Sequence, residues 1–217
     1  MVASRAKLAL PLGALTQRST GVEEKRRLIL DAAVRVFARK GFHQSRVGDI
    51  AREAGVAHGL LYHYFDSKDQ LLETVFRENW SVLLDRIRAV EGTDEPATDQ
   101  LRHVAAILLR TWRHEPDVVR VVVREIARSP EVHERIGELV EPVGSIRHIV
   151  ERGQERGEFR ADLDPGLAAS IFYGGVDAVL TGWVLGTRPD GDDEIAAAEH
   201  TLVEIVVGGF RATADVA

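Results

Sequence analysis

Apolar positions recur every three or four residues along almost the whole chain. No segment alternates with period two over a strand's length, so the pattern predicts an all-α protein. Leu28, Ile29, Ala32, Ala33, Val36 and Phe37 place one apolar stripe on KRRLILDAAVRVFARK. A Thr20-x-x-Glu23 capping pattern opens that helix and Gly41 stops it. Two short helices are expected near 47–54 and 58–65. Ser67-x-x-Gln70 is a second capping box, opening a long helix to about Val90. After a Gly92–Pro96 break the pattern predicts helices over about 98–114 and 117–128. Ser129-Pro130 and Asp164-Pro165 each set a capping residue before proline at the first helical position. The helix from 130 to about 156 contains Pro142 and Gly144, which predicts a kink or split there. A last pair, about 165–186 and 192–211, is rich in Ala, Gly, Val and Leu, giving about nine helices and a domain joint near residue 70.

Composition narrows the chemistry. The 217 residues, 45% hydrophobic and 29% charged, suit one or two globular domains with a sizeable core. The absence of cysteine excludes disulfides, thiolate metal sites and cysteine nucleophiles, and is compatible with a reducing cytosol. No apolar run is read as reaching the roughly 20 residues of a membrane span. MVASRAKLALPLGAL superficially resembles a leader, but Pro11 interrupts its apolar run and no clear cleavage site follows, so residues 1–22 are expected to be a flexible basic arm. The net charge of −6 argues against a nucleic-acid partner until it is divided along the chain. Residues 1–70 carry 12 Lys and Arg against 7 Asp and Glu, whereas 71–217 carry 16 against 27. A basic N-terminal part on an acidic body is able to face phosphate.

VGDIAREAGVAHGLLYHY meets the demands of two short helices joined by a tight turn. Ala51 is small where the helices must cross, and Gly55 tolerates positive φ in the turn. Ile50, Ala54, Val56 and Leu61 form the small core between them, with Leu61 and Phe65 inward one turn apart. His58, Gly59, Tyr62 and His63 then lie on the opposite face. Gly59 costs about 1 kcal/mol of helix propensity relative to alanine, a cost that close approach to a groove would explain. Tyrosine hydroxyls and imidazole N–H groups donate to phosphates or base edges. Lys68 adds charge at the start of the next helix, while Ser45 and Arg46 flank the other side.

From Lys25 to about Phe76 the chain resembles the DNA-binding domain of the TetR family of bacterial transcriptional regulators. The likeness is carried by ILDAA (29–33), the Phe37-to-Gly41 ending, IA…AGV (50–56), GLLYHYF (59–65) and the S-K-x-x-L of Ser67 to Leu71. The C-terminal two-thirds agrees in helical layout alone. The resemblance implies DNA contacts from Ser45, Arg46, His58, Gly59, Leu60, Tyr62, His63 and Lys68, and the basic cluster at the start of the first helix adds Lys25 as a candidate phosphate contact. Tyr64 is placed to reach phosphate, but its neighbours predict that it is half core. Ala57 departs from the usual Ser or Thr at the head of the recognition helix, removing a cap worth about 1 kcal/mol.

The family further implies a homodimer on a palindromic operator, with two recognition helices about one DNA turn apart. A small ligand entering the body would shift the long 67–90 helix and release the DNA. The expected organisation is therefore an arm (1–22), a helix-turn-helix domain (23–70) and a ligand-binding and dimerisation domain (71–217), working in the cytoplasm as a repressor without a cofactor. GFHQSRVGDIAREAGVAHGLLYHYF is also similar to members that control fatty-acid breakdown and sense long-chain acyl-CoA, so acyl-CoA or a fatty acid is the expected effector.

Other readings fare worse. His58 and His63, five apart, align poorly for a metal, and no HExxH-like pattern supports them. His103, His114, His133 and His148 read as ordinary surface or core residues. No nucleophile elbow, P-loop or dinucleotide fingerprint is present, so no enzyme is expected. The rival is a helical carrier or enzyme whose N-terminal unit merely packs. Lys25, Arg26 and Arg27 suit phosphate contact and a solvated helix face equally, while Arg5, Lys7 and Arg18 are able to reach a minor groove but are expected to be disordered with the arm. Arg120, Arg124 and Arg128 recur every four residues, a spacing able to meet an anionic ligand but read first as a solvated stripe. Trp80, Leu84, Trp112, Val119, Ile149 and Phe172 are candidate ligand contacts, though core packing explains them as well. Ile171, Gly175, Val179, Leu180 and Trp183, with Leu202, Ile205, Val206 and Phe210, form broad stripes suited to a dimeric four-helix bundle.

Overall fold

In a computed structural model, which describes residues 21–126 and 141–211, the chain is all-α. Nine helices are present among the described residues: α1 (Gly21–Lys40), α2 (Val47–Ala54), α3 (His58–Tyr64), α4 (Lys68–Glu91), α5 (Ala97–His114), α6 (Pro116–Val121), α7 (Glu141–Glu155), α8 (Pro165–Val184) and α9 (Asp192–Leu202). α6 continues into a π-type turn over Val122–Ile126, and α9 into another over Val203–Val207 followed by a short helical turn, Gly208–Phe210. Arg128, Ser129-Pro130, His133 and residues 1–20, Thr20 among them, lie outside the described residues. Gly21 and Val22, expected in the arm, open α1 instead. Of the helix expected to kink or split at Pro142 and Gly144, the described part runs unbroken from Glu141 through Gly144 to Glu155. Pro142 itself sits in the first described turn of α7, where its missing N–H breaks no visible ladder.

The described chain forms two compact units, one ending at Asn79 and one starting at Trp80, inside α4. In the first, α1 buries Ile29, Leu30, Ala32, Ala33, Val36, Phe37 and Ala38, and α2 packs across it. Gly41, at φ +78°, ends α1 in the left-handed region, its N–H reaching the Phe37 carbonyl at 2.8 Å. Charges pin the α1–α2 joint. Arg35 Nε and Arg39 Nη2 grip the two oxygens of Glu53 at 2.8 and 3.0 Å, and Lys40 pairs with Asp49 at 3.0 Å. The hydrogen bonds from Arg35 and then Arg39 hold the Glu53 carboxyl below the usual carboxylate range. A folded-state value below the unfolded one gives stability that is present above the unfolded pKa and lost as pH falls through the folded one. Glu53→Gln is therefore expected to lower the melting temperature at pH 6, with the gap to the parent closing toward pH 3. A gap that stays constant over that range would contradict the ion-pair account.

In the second unit α7 and α8 pack along their lengths, and α5 touches α6, α7, α8 and α9. Asp164 caps α8 as expected, accepting from the Leu167 N–H at 2.6 Å with Pro165 in the first turn. Two glycine contacts make the packing close. A Cβ on Gly153 would collide with the Phe159 ring and with Ala97, and one on Gly175 would meet Leu202 Cδ1 at 2.6 Å. The last described residues return to this core: Arg160 N–H donates to the Phe210 carbonyl at 2.8 Å, and the Phe159 and Phe210 rings meet edge to face. One expectation needs correcting. By length and composition α8 is long and apolar enough to cross a membrane. Its inner face, including Ala169, Phe172, Val176 and Trp183, is buried in the unit while Leu167 and Ile171 stay exposed, so both faces are apolar for different reasons.

Candidate nucleic-acid interface

The α2–α3 pair is built as its residue types require. α2 buries Ile50 and Ala51, and Asp49 accepts the Arg46 backbone N–H at 3.2 Å, holding the first turn. Gly55 turns the chain at φ +67°, and the Val56 N–H returns to the Ala51 carbonyl at 3.0 Å. α3 then buries Leu61, with Phe65 buried just beyond its end. Ala57 sits at the helix head with no side-chain cap, and its carbonyl alone closes the first turn by accepting from Leu60 N–H at 2.9 Å.

The opposite face of α3 is open. His58, Gly59, Tyr62 and His63 are exposed, Tyr62 to 49%, and Leu60 and Tyr64 are half-buried. The His58 and Tyr62 rings meet edge to face at 5.3 Å, as do His63 and Tyr64 at 5.5 Å. Nothing fills the space beside Gly59, so a partner's backbone is able to approach there. Lys25 and Arg46 are exposed as well.

Two of the implied contacts are placed differently. Ser45 is 4% exposed, and its hydroxyl donates to the Gly41 carbonyl at 2.5 Å, closing the turn after α1 instead of facing outward. Lys68 is half-buried. Its ammonium donates to the carbonyls of Phe42 at 2.7 Å and Ser45 at 3.1 Å, and lies 4.2 Å from the Phe42 ring centre. His43 and Gln44, exposed on that same turn, were marked by no helical period and emerge only from the fold. The Arg35 and Arg39 pair was legible in principle, since a four-residue spacing stacks both on one face of α1.

At the start of α4 the capping box is shifted. Ser67 Oγ accepts the Gln70 N–H at 3.0 Å, but the Gln70 side chain takes the Asp66 N–H at 2.6 Å, one residue earlier than the pattern implies. Arg26 packs 5.7 Å from the Phe65 ring and pairs with Glu78 at 2.5 Å, so that part of the basic cluster is structural.

In the body, Trp80, Leu84, Trp112, Val119, Ile149 and Phe172 are all buried, and core packing accounts for each. Trp112 stacks on Trp183 at 6.3 Å and donates from Nε1 to Asp190 at 3.1 Å. The arginine stripe is not simply solvated: Arg120 lies over the Trp112 ring and pairs with Asp117, and Arg124 donates to the Val184 carbonyl. Burial first, then the Asp177 carboxylate, push the Tyr173 phenol up to about 12.

The dimer stripes divide. Ile171 (53%) and Ile205 (70%) are exposed, and Gly175, Val179, Leu180 and Val206 are half-buried. Trp183, Leu202 and Phe210 are instead buried within the protomer, against Trp112, Gly175 and Phe159 respectively, which corrects their assignment to an intersubunit face. Among the described residues no group of three or more His, Asp or Glu is arranged to hold a metal ion.

Known proteins share this arrangement. Residues 29–75 match the model of bacterial regulatory proteins of the tetR family, and residues 91–201 match the tetracyclin repressor-like C-terminal domain. The chain is 30% identical over 185 residues to the fatty acid metabolism regulator protein of Bacillus subtilis, covering 84% of this chain and 94% of that one. It is 28% identical over 200 residues to the transcriptional repressor KstR2 of Rhodococcus jostii, covering 88% and 94%. The crystal structure of the regulator FadR from Bacillus subtilis in complex with stearoyl-CoA superposes with a TM-score of 0.76 at 28% identity, covering 85% of this chain and 99% of that one. Members of the family generally bind operator DNA and a small effector as homodimers, and they are not enzymes. With an open recognition helix on a buried Leu61–Phe65 seam and both domain models matched, the chain belongs to the tetR family of bacterial regulatory proteins and is a sequence-specific DNA-binding transcriptional repressor.

Proposed function

We propose that this repressor holds a palindromic operator as a homodimer in the cytoplasm and lets go when a long-chain acyl-CoA binds its helical body. The observation that carries the ligand class is the likeness, along 85% of the chain, to a regulator crystallised with stearoyl-CoA. The proposed DNA face comprises Lys25, Arg46, His58, Gly59, Leu60, Tyr62 and His63, on a domain spanning 23–70. The arm (1–22) precedes it and the ligand and dimer body (71–217) follows. Leu167, Ile171, Leu185 and Ile205 are apolar, exposed and spaced along α8, its C-terminal end and the continuation of α9, which supports their burial against a second copy. Three residues separate α4 from α3, and α4 runs on into the second unit, which suits it to carry a ligand-induced shift. Release requires only that the acyl-CoA bind the DNA-incompetent arrangement more tightly.

The test begins with a duplex enriched by the protein from a random pool. Its log affinity is expected to fall steeply and linearly with log salt, and stearoyl-CoA at micromolar levels to release it while stearate and choline do not. Failure of stearoyl-CoA to release DNA or raise the melting temperature well above micromolar concentration would remove the ligand class and leave the repressor intact. Equal affinity for enriched and random duplex would remove the operator itself. Tyr62→Phe is expected to weaken the enriched duplex by about 1 kcal/mol, the worth of one hydrogen bond. Unchanged affinity on titration would take Tyr62 out of the interface.

A further inference from the structure

We propose that Lys68 is a positioning residue that sets the turn before α2, and not a phosphate contact. This rests on the operator-binding reading above and deepens it. A lysine at the first residue of α4 is the obvious cation for a DNA backbone, yet its ammonium is already engaged. It donates to the carbonyls of Phe42 and Ser45 and sits over the Phe42 ring at 4.2 Å, in a half-buried position. Two of its three N–H donors are thereby spent on carbonyls, and its charge is shared with an aromatic face.

The turn it grips has few other restraints. Gly41 is left-handed, the Ser45 hydroxyl returns to the Gly41 carbonyl, and Ser45 N–H reaches the Phe42 carbonyl at 3.2 Å. Phe42 leans edge to face on Phe37 at 5.4 Å, which ties the turn to the α1 core. Every one of these groups stands immediately before Arg46, the exposed residue that heads α2. Lys68 thus joins the start of α4 to the Phe42–Ser45 turn and through it to Arg46 and α2. Any movement of the α4 start is passed to the α2 side of the helix-turn-helix, as well as to α3 through the chain.

The two roles separate by salt dependence. Each neutralised phosphate contributes about 0.9 to the slope of log affinity against log salt, so removing one phosphate-bound cation from each of two subunits makes the slope shallower by about 1.8. Lys68→Met keeps the alkyl stem and removes the donors. Its affinity for the enriched duplex is expected to fall on the order of tenfold, about 1.4 kcal/mol, with the slope unchanged. In the free protein, amide hydrogen exchange across residues 42–47 is expected to quicken while that of α1 stays as in the parent. A slope shallower by about 1.8 with parental exchange would overturn the proposal.

Lys68→Arg, which keeps both donors and charge, is expected to restore parental exchange. If Lys68→Met does not fold, Phe42→Leu takes its place, removing the ring but not the charge. It is expected to quicken the same amides with an unchanged slope, and parental exchange there would equally overturn the proposal. The exchange arm uses no DNA, so it stands even where the operator reading fails.

Discussion

Leu61→Ala is expected to abolish operator binding by loosening the first unit while leaving the body folded. Leu61 is fully buried on the inner face of α3, where α3 meets α2 and its Ile50 and Ala51. Truncating a buried leucine removes its transfer energy and leaves a cavity, costing about 2–5 kcal/mol. A unit of this size has a small core, so such a loss is a large share of its whole stability. The three tryptophans, Trp80, Trp112 and Trp183, all lie in the second unit. Tryptophan fluorescence should therefore melt as in the parent, while hydrogen exchange in α2 and α3 accelerates and binding to the enriched duplex disappears. Tyr62→Phe, on the open face of the same helix, should change binding without changing either melting signal. Should Leu61→Ala bind as the parent does, the division of α3 into scaffold and contact faces would be wrong.

Gly153→Val should have the opposite footprint, destabilising the body and sparing α2 and α3. The added carbons would be driven into the Phe159 ring and within 2.8 Å of the Ala97 Cβ, and neither neighbour is the free end of a flexible chain. Phe159 is nearly fully buried and braced edge to face by Phe210, while Ala97 begins α5 with its N–H bonded to the Glu158 carboxylate at 2.7 Å. Overpacking of this kind costs about 1–3 kcal/mol. Gly144→Ala in the same helix meets nothing within 4 Å and should gain roughly 0.5–1 kcal/mol from reduced backbone freedom. Tryptophan-detected melting should separate the two in opposite directions. Equal melting temperatures would show that the Gly153 contact has room to yield.

Gly153 also bears on coupling, because α5 and α7 both hold the end of α4. Gln100, buried in α5, donates to the carbonyls of Val90 at 3.1 Å and Thr93 at 2.8 Å. Arg152, next to Gly153 in α7, donates to the Glu91 carbonyl and to Gln100 Oε1, and His148 meets the Glu91 side chain at 3.1 Å. The last carbonyls of α4, which a helix end leaves without intrahelical donors, are thus satisfied by side chains of the body.

The helix-turn-helix was legible because its constraints are short in sequence. Ala51, Gly55, Leu61 and Phe65 are separated by a few residues each, and helical period with one left-handed turn brings them together. The exposed face of α3 follows by subtraction. Ser45 and Lys68 were misplaced because their partners are remote or carry no type signal. Lys68 finds backbone carbonyls 26 and 23 residues away, and a carbonyl looks the same under every sequence. The body was less legible again. α8 is apolar on both faces and the continuation of α9 is apolar almost throughout, so periodicity does not separate Trp183, Leu202 and Phe210, which pack inward, from Ile171 and Ile205, which remain exposed.

By itself, then, the sequence determined the helical class, the nine-element layout, the turn at Gly55 and the two faces of α3, because these depend on local period and on which residues tolerate a given backbone angle. Tertiary structure alone decided which cation stands exposed and which is engaged by backbone carbonyls, how α4 is held at its far end, and which apolar stripe stays open. Those outcomes depend on backbone carbonyls and close approaches between distant segments, and neither leaves a mark in the order of side chains.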